Sequence, residues 1–252
     1  MNDEERLLLR HLQDLSERAQ QSGIYTFSDF LSLPEQDLVL RSVREYGLWD
    51  YHFEGGSESA ERRIIVFGSE ASFGYPPELP ITVLQIRPVQ EKYGEELSHR
   101  DILGAVMSLQ IERSLTGDII VRGKNAYIFC LQRIADFLAE NLTKIRHTDV
   151  QCMRCISDVP ELRPVLQEVR LNIASERLDS IVAFLTGISR SHIERLFHEK
   201  RVFLNGRIVE SLSARPKEGD VITVRGFGKA IYEGISGSSK KGRLYVTLRK
   251  YV

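Results

Sequence analysis

Apolar residues at Leu8, Leu12, Leu15 and Ala19 recur at helical spacing, and Gly23 follows where such a helix should stop; the pattern predicts a helix from about Asp3 to Gln21. A second helix is expected to begin near Pro34, a favourable first-turn residue, and to carry Leu38, Val43 and Tyr46 toward Gly47. Alternation then takes over. LWDYHF and RRIIVFG read as two strands joined by EGGSESAE, and SFGYPPELP breaks regular structure.

The pattern is clearer in the middle of the chain. ITVLQIRPV reads as a strand and HRDILGAVMSLQI as a helix with Ile102, Val106, Leu109, Leu103 and Ile111 inward. DIIVRG and NAYIFC form an antiparallel pair, LQRIADFLAENL another amphipathic helix, and DVQCMRCI a last strand. The order β-α-β-β-α-β is the ferredoxin-like plan, shared by RNA-recognition modules and many enzymes. No stacking signature of the RNA-recognition type is legible on these strands.

After the break SDVPELRP, LQEVRLNIAS reads as a strand. Leu178, Ile181, Val182 and Leu185 then define an amphipathic helix with Ser175 as its expected N-cap and Gly187 just past its end. A second helix starts at SRSHIERLF, capped by Ser189 or by Ser191 in a box with Glu194, with Ile193, Leu196 and Phe197 inward. VFLNGRIV is a hairpin whose Asn-Gly pair suits a type I′ turn, and the turn PKEGD introduces the strand VITVRGFG. GISGSSKKGR reads as a flexible basic loop before the last strand, RLYVTLRKYV. The expected architecture is α+β in three small modules: an amino-terminal α/β module at 1–76, a ferredoxin-like, RRM-like domain at 77–162 and a basic domain with a carboxy-terminal strand extension at 170–252.

Composition narrows the function classes. The 252 residues are ordinary for a globular chain, no run is long and apolar enough to span a membrane, and MNDEERLLLRHLQDL is too charged for a secretory signal. Cytoplasmic residence is the expectation, in keeping with an odd count of three cysteines. Cys152 and Cys155 have CxxC spacing but no second pair at zinc-ligand distance, so no metal or cofactor is expected. The net charge of −1 conceals an asymmetry: from Ser175 onward fifteen Lys and Arg face eight Asp and Glu, leaving nineteen against twenty-seven elsewhere. One end of the chain is suited to polyanions.

The series RLD, GISRS, RVFLNGRIV and KEGDVITV resembles the S4-type RNA-binding domain. The resemblance implies an αL-like fold with one basic face toward structured RNA, and it carries the binding role onto Arg177, Arg190, Ser191, Arg195, Lys200, Arg201, Asn205 and Arg207. Guanidinium forks match phosphate oxygens, and folded RNA is read mainly by shape and backbone.

Enzymes that carry such a domain fit poorly. Arg177-Leu178-Asp179 mimics the catalytic triplet of pseudouridine synthases, but SIVAF follows where a Thr and a Gly are required. The nucleotide motifs of tyrosyl-tRNA synthetases and the glycine-rich loop of a methyltransferase are missing. His99-Arg100-Asp101 mimics a kinase catalytic loop without its companions, and reads better as a helix start capped by Ser98.

EGGSESAERR, LSHRDILGAVMSLQIERSLTGDIIV and the S4-like end, in that order, resemble the YlmH-type proteins, bacterial RNA-binding proteins encoded near division genes. Gln110 stands where that family more usually has a glycine, and Ser57 where an aromatic is common. Gly55 and Gly56 are expected to turn the hairpin, Gly117-Asp118 to join helix to strand, and Gly104 to allow close packing on the sheet; Arg100 and Arg113 are candidates to extend the RNA surface. What the resemblance implies is a non-enzymatic protein that binds rRNA and tRNA on the large ribosomal subunit, in translation or in the quality control of stalled complexes; with no coiled-coil pattern in the sequence, a monomer is expected. The alternatives are an RNA-modifying enzyme with its site in the amino-terminal half, and a division-linked protein adaptor.

Overall fold

A computed structural model of the chain describes residues 1–92, 94–155, 159–240 and 242–251, the side chains of Pro160 and Arg190 excepted. The chain divides into two compact units, Met1–Arg163 and Pro164–Val252. No helix among the described residues is long and apolar enough to cross a membrane.

Unit 1 begins with α1 (Asp3–Ser22), held at its start by a reciprocal pair of bonds between Asn2 and Glu5 and ended by Gly23 at φ +66°. β1 (Thr26–Phe27) leads to α2 (Leu33–Ser42), which opens on a second capping box between Ser32 and Glu35. This helix stops short of the expected end; residues 43–47 are turns, with Gly47 at φ +60°. β2 (Tyr51–Glu54) and β3 (Ile64–Phe67) form the expected antiparallel hairpin, and a single turn, α3 (Glu70–Phe73), follows. The sheet order is β1-β3-β2, so β3 is central and all four of its side chains are buried. Ile65 and Phe67 pack with Leu9, Leu12, Leu38 and Val39 of the two helices, whereas Ile64 and Val66 pack on the other side.

That other side is the second sheet of unit 1. β4 (Ile81–Pro88), α4 (His99–Ser108), β5 (Thr116–Arg122), β6 (Asn125–Leu131), α5 (Gln132–Asn141), a two-residue β7 (Lys144–Ile145) and β8 (Thr148–Arg154) follow in order. The strands lie in the order β5-β6-β4-β8-β7, all antiparallel, which is the ferredoxin-like arrangement with β7 added at one edge. Helices α4 and α5 cover one face through Ile102, Val106, Ala135 and Leu138. The opposite face contributes Phe129 and Leu131 to a shared core with Tyr25, Phe30, Ile64 and Val66. Unit 1 is therefore helices, sheet, sheet, helices.

Two glycines make that sheet-to-sheet approach possible. A Cβ on Gly117 would lie 2.8 Å from the Phe30 ring, and one on Gly56 2.8 Å from the Phe129 ring. Gly104 has nothing within 4 Å of a Cβ position, so the expected close packing there is not its role. α4 starts as read, with Ser98 and Asp101 in a capping box; Asp101 is thereby held below the usual carboxylate range. Gln110, just past its end, sits at φ +60°.

Unit 2 is a six-stranded antiparallel sheet with two helices on one face. β9 (Leu166–Ile173), α6 (Leu178–Thr186), α7 (Arg190–His198), β10 (Val202–Leu204), β11 (Arg207–Ile208), β12 (Val221–Val224), β13 (Gly228–Ser238) and β14 (Leu244–Tyr251) assemble in the order β11-β10-β12-β13-β14-β9. Leu178, Ile181, Val182, Ile193, Leu196 and Phe197 bury the helices' apolar stripes against Leu171, Ile222, Tyr232, Val246 and Leu248. Arg177, not Ser175, is the N-cap of α6. Ser189 caps α7 by position, but its hydroxyl bonds His192 Nδ1 at 2.8 Å, and no Ser191–Glu194 box forms among the described residues. Much of the expected loop GISGSSKKGR is strand: β13 runs to Ser238.

Candidate nucleic-acid interface

The entry to α6 is fixed by several bonds from the unit-2 scaffold. The Leu178 N–H donates to the Ala214 carbonyl at 2.8 Å and the Asp179 N–H to that of Leu212 at 3.1 Å, so the first turn leans on the loop after β11. The Tyr232 phenol donates to the Glu176 carboxylate; burial and that partner both push the phenol's pKa upward. Arg177 grips Asp179 with two nitrogens, at 3.1 and 2.8 Å, which raises its own pKa and commits the RLD carboxylate to an arginine. Arg177 also lines a cleft with Ser175, Ser180, Glu194 and Arg243.

The junction between α7 and the β10–β11 hairpin gathers the other cations. Arg195 Nε stands 3.6 Å from Glu199, whose other oxygen stands 3.5 Å from Arg201. Lys200, at φ +55°, ends α7 and reaches Glu210 at 3.5 Å. Arg201 donates to the Arg225 carbonyl at 2.8 Å and lies over the Phe227 ring, 5.7 Å from its centroid. A Cβ on Gly226 would come within 2.9 Å of the same guanidinium, so a glycine there keeps its path open. Arg207 projects from the edge strand β11, exposed and without an ion pair among the described residues.

These pairs leave the cations usable. The Arg195 side chain is 63% exposed and that of Lys200 58% exposed; ion pairs that wet contribute little, and a phosphate can displace them. Ser191 is exposed beside Ser189. Asn205 is otherwise occupied. Its amide donates to Asp220 at 2.8 Å and accepts from the Val221 N–H at 2.8 Å, tying the hairpin turn, at φ +51°, to the turn before β12. The side chain of Arg190 lies outside the described residues. Sequence reading missed Arg225, Phe227 and Arg243; a basic residue followed by glycine and an aromatic in VITVRGFG was the available signal for the first two.

Of the two arginines in unit 1 read as candidate RNA contacts, Arg100 is exposed and Arg113 is half-buried and engaged by the protein. Arg113 donates to the Thr116 carbonyl and hydroxyl at 2.6 Å each and to the Gly117 carbonyl at 3.0 Å; burial and the neighbouring Arg62 lower its pKa to about 10. His99 beside it is lowered too, by burial first and Arg113 second. No group of three or more His, Cys, Asp or Glu among the described residues is placed to hold a metal.

Residues 176–222 match the family model of the S4 domain, and residues 78–157 match the model described as "Putative RNA-binding domain in YlmH". The carboxy-terminal unit is thus an S4-type RNA-binding domain. Both domains are present in that order, the arrangement that the resemblance to YlmH-type proteins implies. A relative from Bacillus subtilis (strain 168), "Ribosome-associated protein quality control protein P2", is 27% identical over 226 residues, covering 88% of this chain and 86% of that one. A solved structure, "Cell division protein ylmH from Streptococcus pneumoniae", is similar with a TM-score of 0.47 and 24% identity, over 62% of this chain and 93% of that one.

Proposed function

We propose that this chain is a non-enzymatic RNA-binding protein of the cytoplasm that acts as a monomer on the large ribosomal subunit, holding rRNA and tRNA together during quality control of stalled translation. The observation that carries this reading is the α7–β10 junction: Arg195, Lys200, Arg201 and Arg207 collect at one edge of an S4 domain, tied only to exposed partners. Ribosome association is supported by the name of the Bacillus relative. The absence of a catalytic role is supported by the fate of the candidate groups: Arg113 and Asp179 are engaged by neighbouring protein atoms, and Cys130 and Cys152 are buried. Residues 1–76, 77–162 and 170–252 are proposed as three modules, the first two fused into one unit by their shared core.

Binding of purified large subunits and large-subunit rRNA fragments as a function of salt tests the proposal. Each phosphate that a variant no longer neutralises lowers the logarithmic salt slope by roughly 0.7 to 0.9, so Arg195→Ala with Arg207→Ala should flatten it by about twice that amount and weaken binding. An unchanged slope and affinity in the double variant would remove the junction from the interface.

A further inference from the structure

The RRM-like sheet has a helix-free face, and in RNA-recognition modules that face stacks unpaired bases on aromatic side chains of its central strands. Here the equivalent aromatics, Tyr127 and Phe129 on β6, are 2% and 1% exposed. Phe129 is covered by Phe30, Tyr25 and Val66 of the amino-terminal module. Along the neighbouring strand lies the turn Pro160–Leu162, whose Glu161 carbonyl accepts from Arg122 Nε at 3.2 Å. Stacking by this sheet is closed off within unit 1 itself.

What stays open is the far end of the same face. Arg87 pairs in register with Gln151 across β4 and β8, and Gln85 with Tyr127 across β4 and β6. With Asn125 they line a groove of about 570 Å³ that also reaches Glu91 and Val150. Its polar groups are held in place from below and from the side. Gln85 Nε2 donates to the Tyr127 hydroxyl at 3.3 Å, so its amide oxygen is the end left to accept. Arg87 donates to Gln151 Oε1 at 3.1 Å, so the Gln151 amide nitrogen is the end left to donate. Three carboxamides and one guanidinium on three adjacent strands form a set of paired donors and acceptors, the kind that reads base edges.

We infer that this groove binds unpaired RNA by hydrogen bonds to base edges, with the Arg87 guanidinium available to the backbone, and that it does so without aromatic stacking. The site lies in unit 1 and stands independently of the S4 junction.

The test uses the full chain and fluorescein-labelled eight-nucleotide RNAs of A, C, G or U. Arg87→Ala with Gln151→Ala removes two exposed side chains and leaves the core untouched. Expected is a preference of at least fivefold among the four oligonucleotides, retained in Arg195→Ala/Arg207→Ala, and a loss of at least fivefold in affinity for the preferred one in Arg87→Ala/Gln151→Ala. Ultraviolet crosslinks should fall on peptides of β4, β6 and β8. Equal affinity for all four RNAs, or binding in Arg87→Ala/Gln151→Ala within twofold of the parent, overturns the inference. Loss of preference only in the Arg195/Arg207 variant also overturns it, by moving the selectivity to the S4 domain.

Discussion

Asp118 holds the backbone of Arg62. Its two carboxylate oxygens accept from the N–H groups of Glu61 at 2.7 Å and Arg62 at 3.0 Å, joining the start of β5 to the segment leading into β3. The Arg62 guanidinium returns the favour with bonds to the carbonyls of Thr116, Phe30 and Arg113 at 3.0, 2.9 and 3.1 Å. Gly117-Asp118, in the stretch LSHRDILGAVMSLQIERSLTGDIIV, is thus part of a fastener between two sheets.

If that fastener makes one cooperative unit, breaking it in the middle domain should be felt in the amino-terminal module. Asp118→Ala strands two N–H groups and removes the carboxylate charge that bears on Arg113, a loss of about 2 to 3 kcal/mol. Trp49, the chain's single tryptophan, reports on the amino-terminal module, packed beside Phe73. Its fluorescence midpoint in urea should fall together with the far-ultraviolet signal of unit 1. A Trp49 transition that does not move would make the amino-terminal module an independent folder.

Gln110 offers the opposite change. Its φ of +60° is the left-handed region, and its side chain is exposed. Gln110→Gly relieves about 1 kcal/mol of backbone strain, partly offset by the greater freedom of glycine in the unfolded chain. A net gain in thermal midpoint is expected, with RNA binding unchanged; a lower midpoint would mean that the glutamine side chain stabilises the turn by more than its backbone costs.

The helices were legible because their apolar stripes are regular and face one partner. Ile193, Leu196 and Phe197 are all buried as their spacing requires, and Asn205-Gly206 turns the hairpin with both residues at positive φ. β13 was not legible. Register shifts follow Tyr232 and Ile235, with Gly234 and Gly237 at positive φ, and each bulge resets the period of two by which a strand is recognised. The same limit applies to the groove on the middle sheet. Gln85, Arg87, Asn125 and Gln151 come from three strands that are adjacent only after folding, so no local spacing marks them. Nor does periodicity reveal that Phe129 is covered on the face away from the helices.

The cysteines provide a pH-dependent reading of unit 1. Burial pushes the thiols of Cys130 and Cys152 up to about 12 in the folded protein. Raised folded values mean that the thiol contribution is intact below about pH 9, where neither state ionises, and is lost as the pH climbs from there toward 12, because only the unfolded chain then releases its protons. The urea midpoint of the parent should decline over that window more steeply than that of Cys130→Val. At pH 8 both thiols should react with a maleimide only as fast as the unit opens; rapid labelling of folded protein would refute their burial.

Asn205 separates a folding role from a binding role at the S4 face. Its carboxamide bridges Asp220 and the Val221 N–H, and Asp220 in turn accepts from the Lys217 N–H at 2.7 Å, so one side chain ties the β10–β11 turn to the β12 entry. Asn205→Gly keeps the positive φ cheap and loses only those bonds, a cost of about 1 kcal/mol; Asn205→Ala adds the left-handed penalty of roughly 1 kcal/mol more. Thermal midpoints should therefore rank parent, then glycine, then alanine. Well below the melting transition, affinity of both variants for large-subunit rRNA fragments should stay within twofold of the parent. A tenfold loss of affinity in Asn205→Gly at nearly unchanged stability would instead place this amide in contact with RNA, and the arginines of the junction would then share the interface with the hairpin tip.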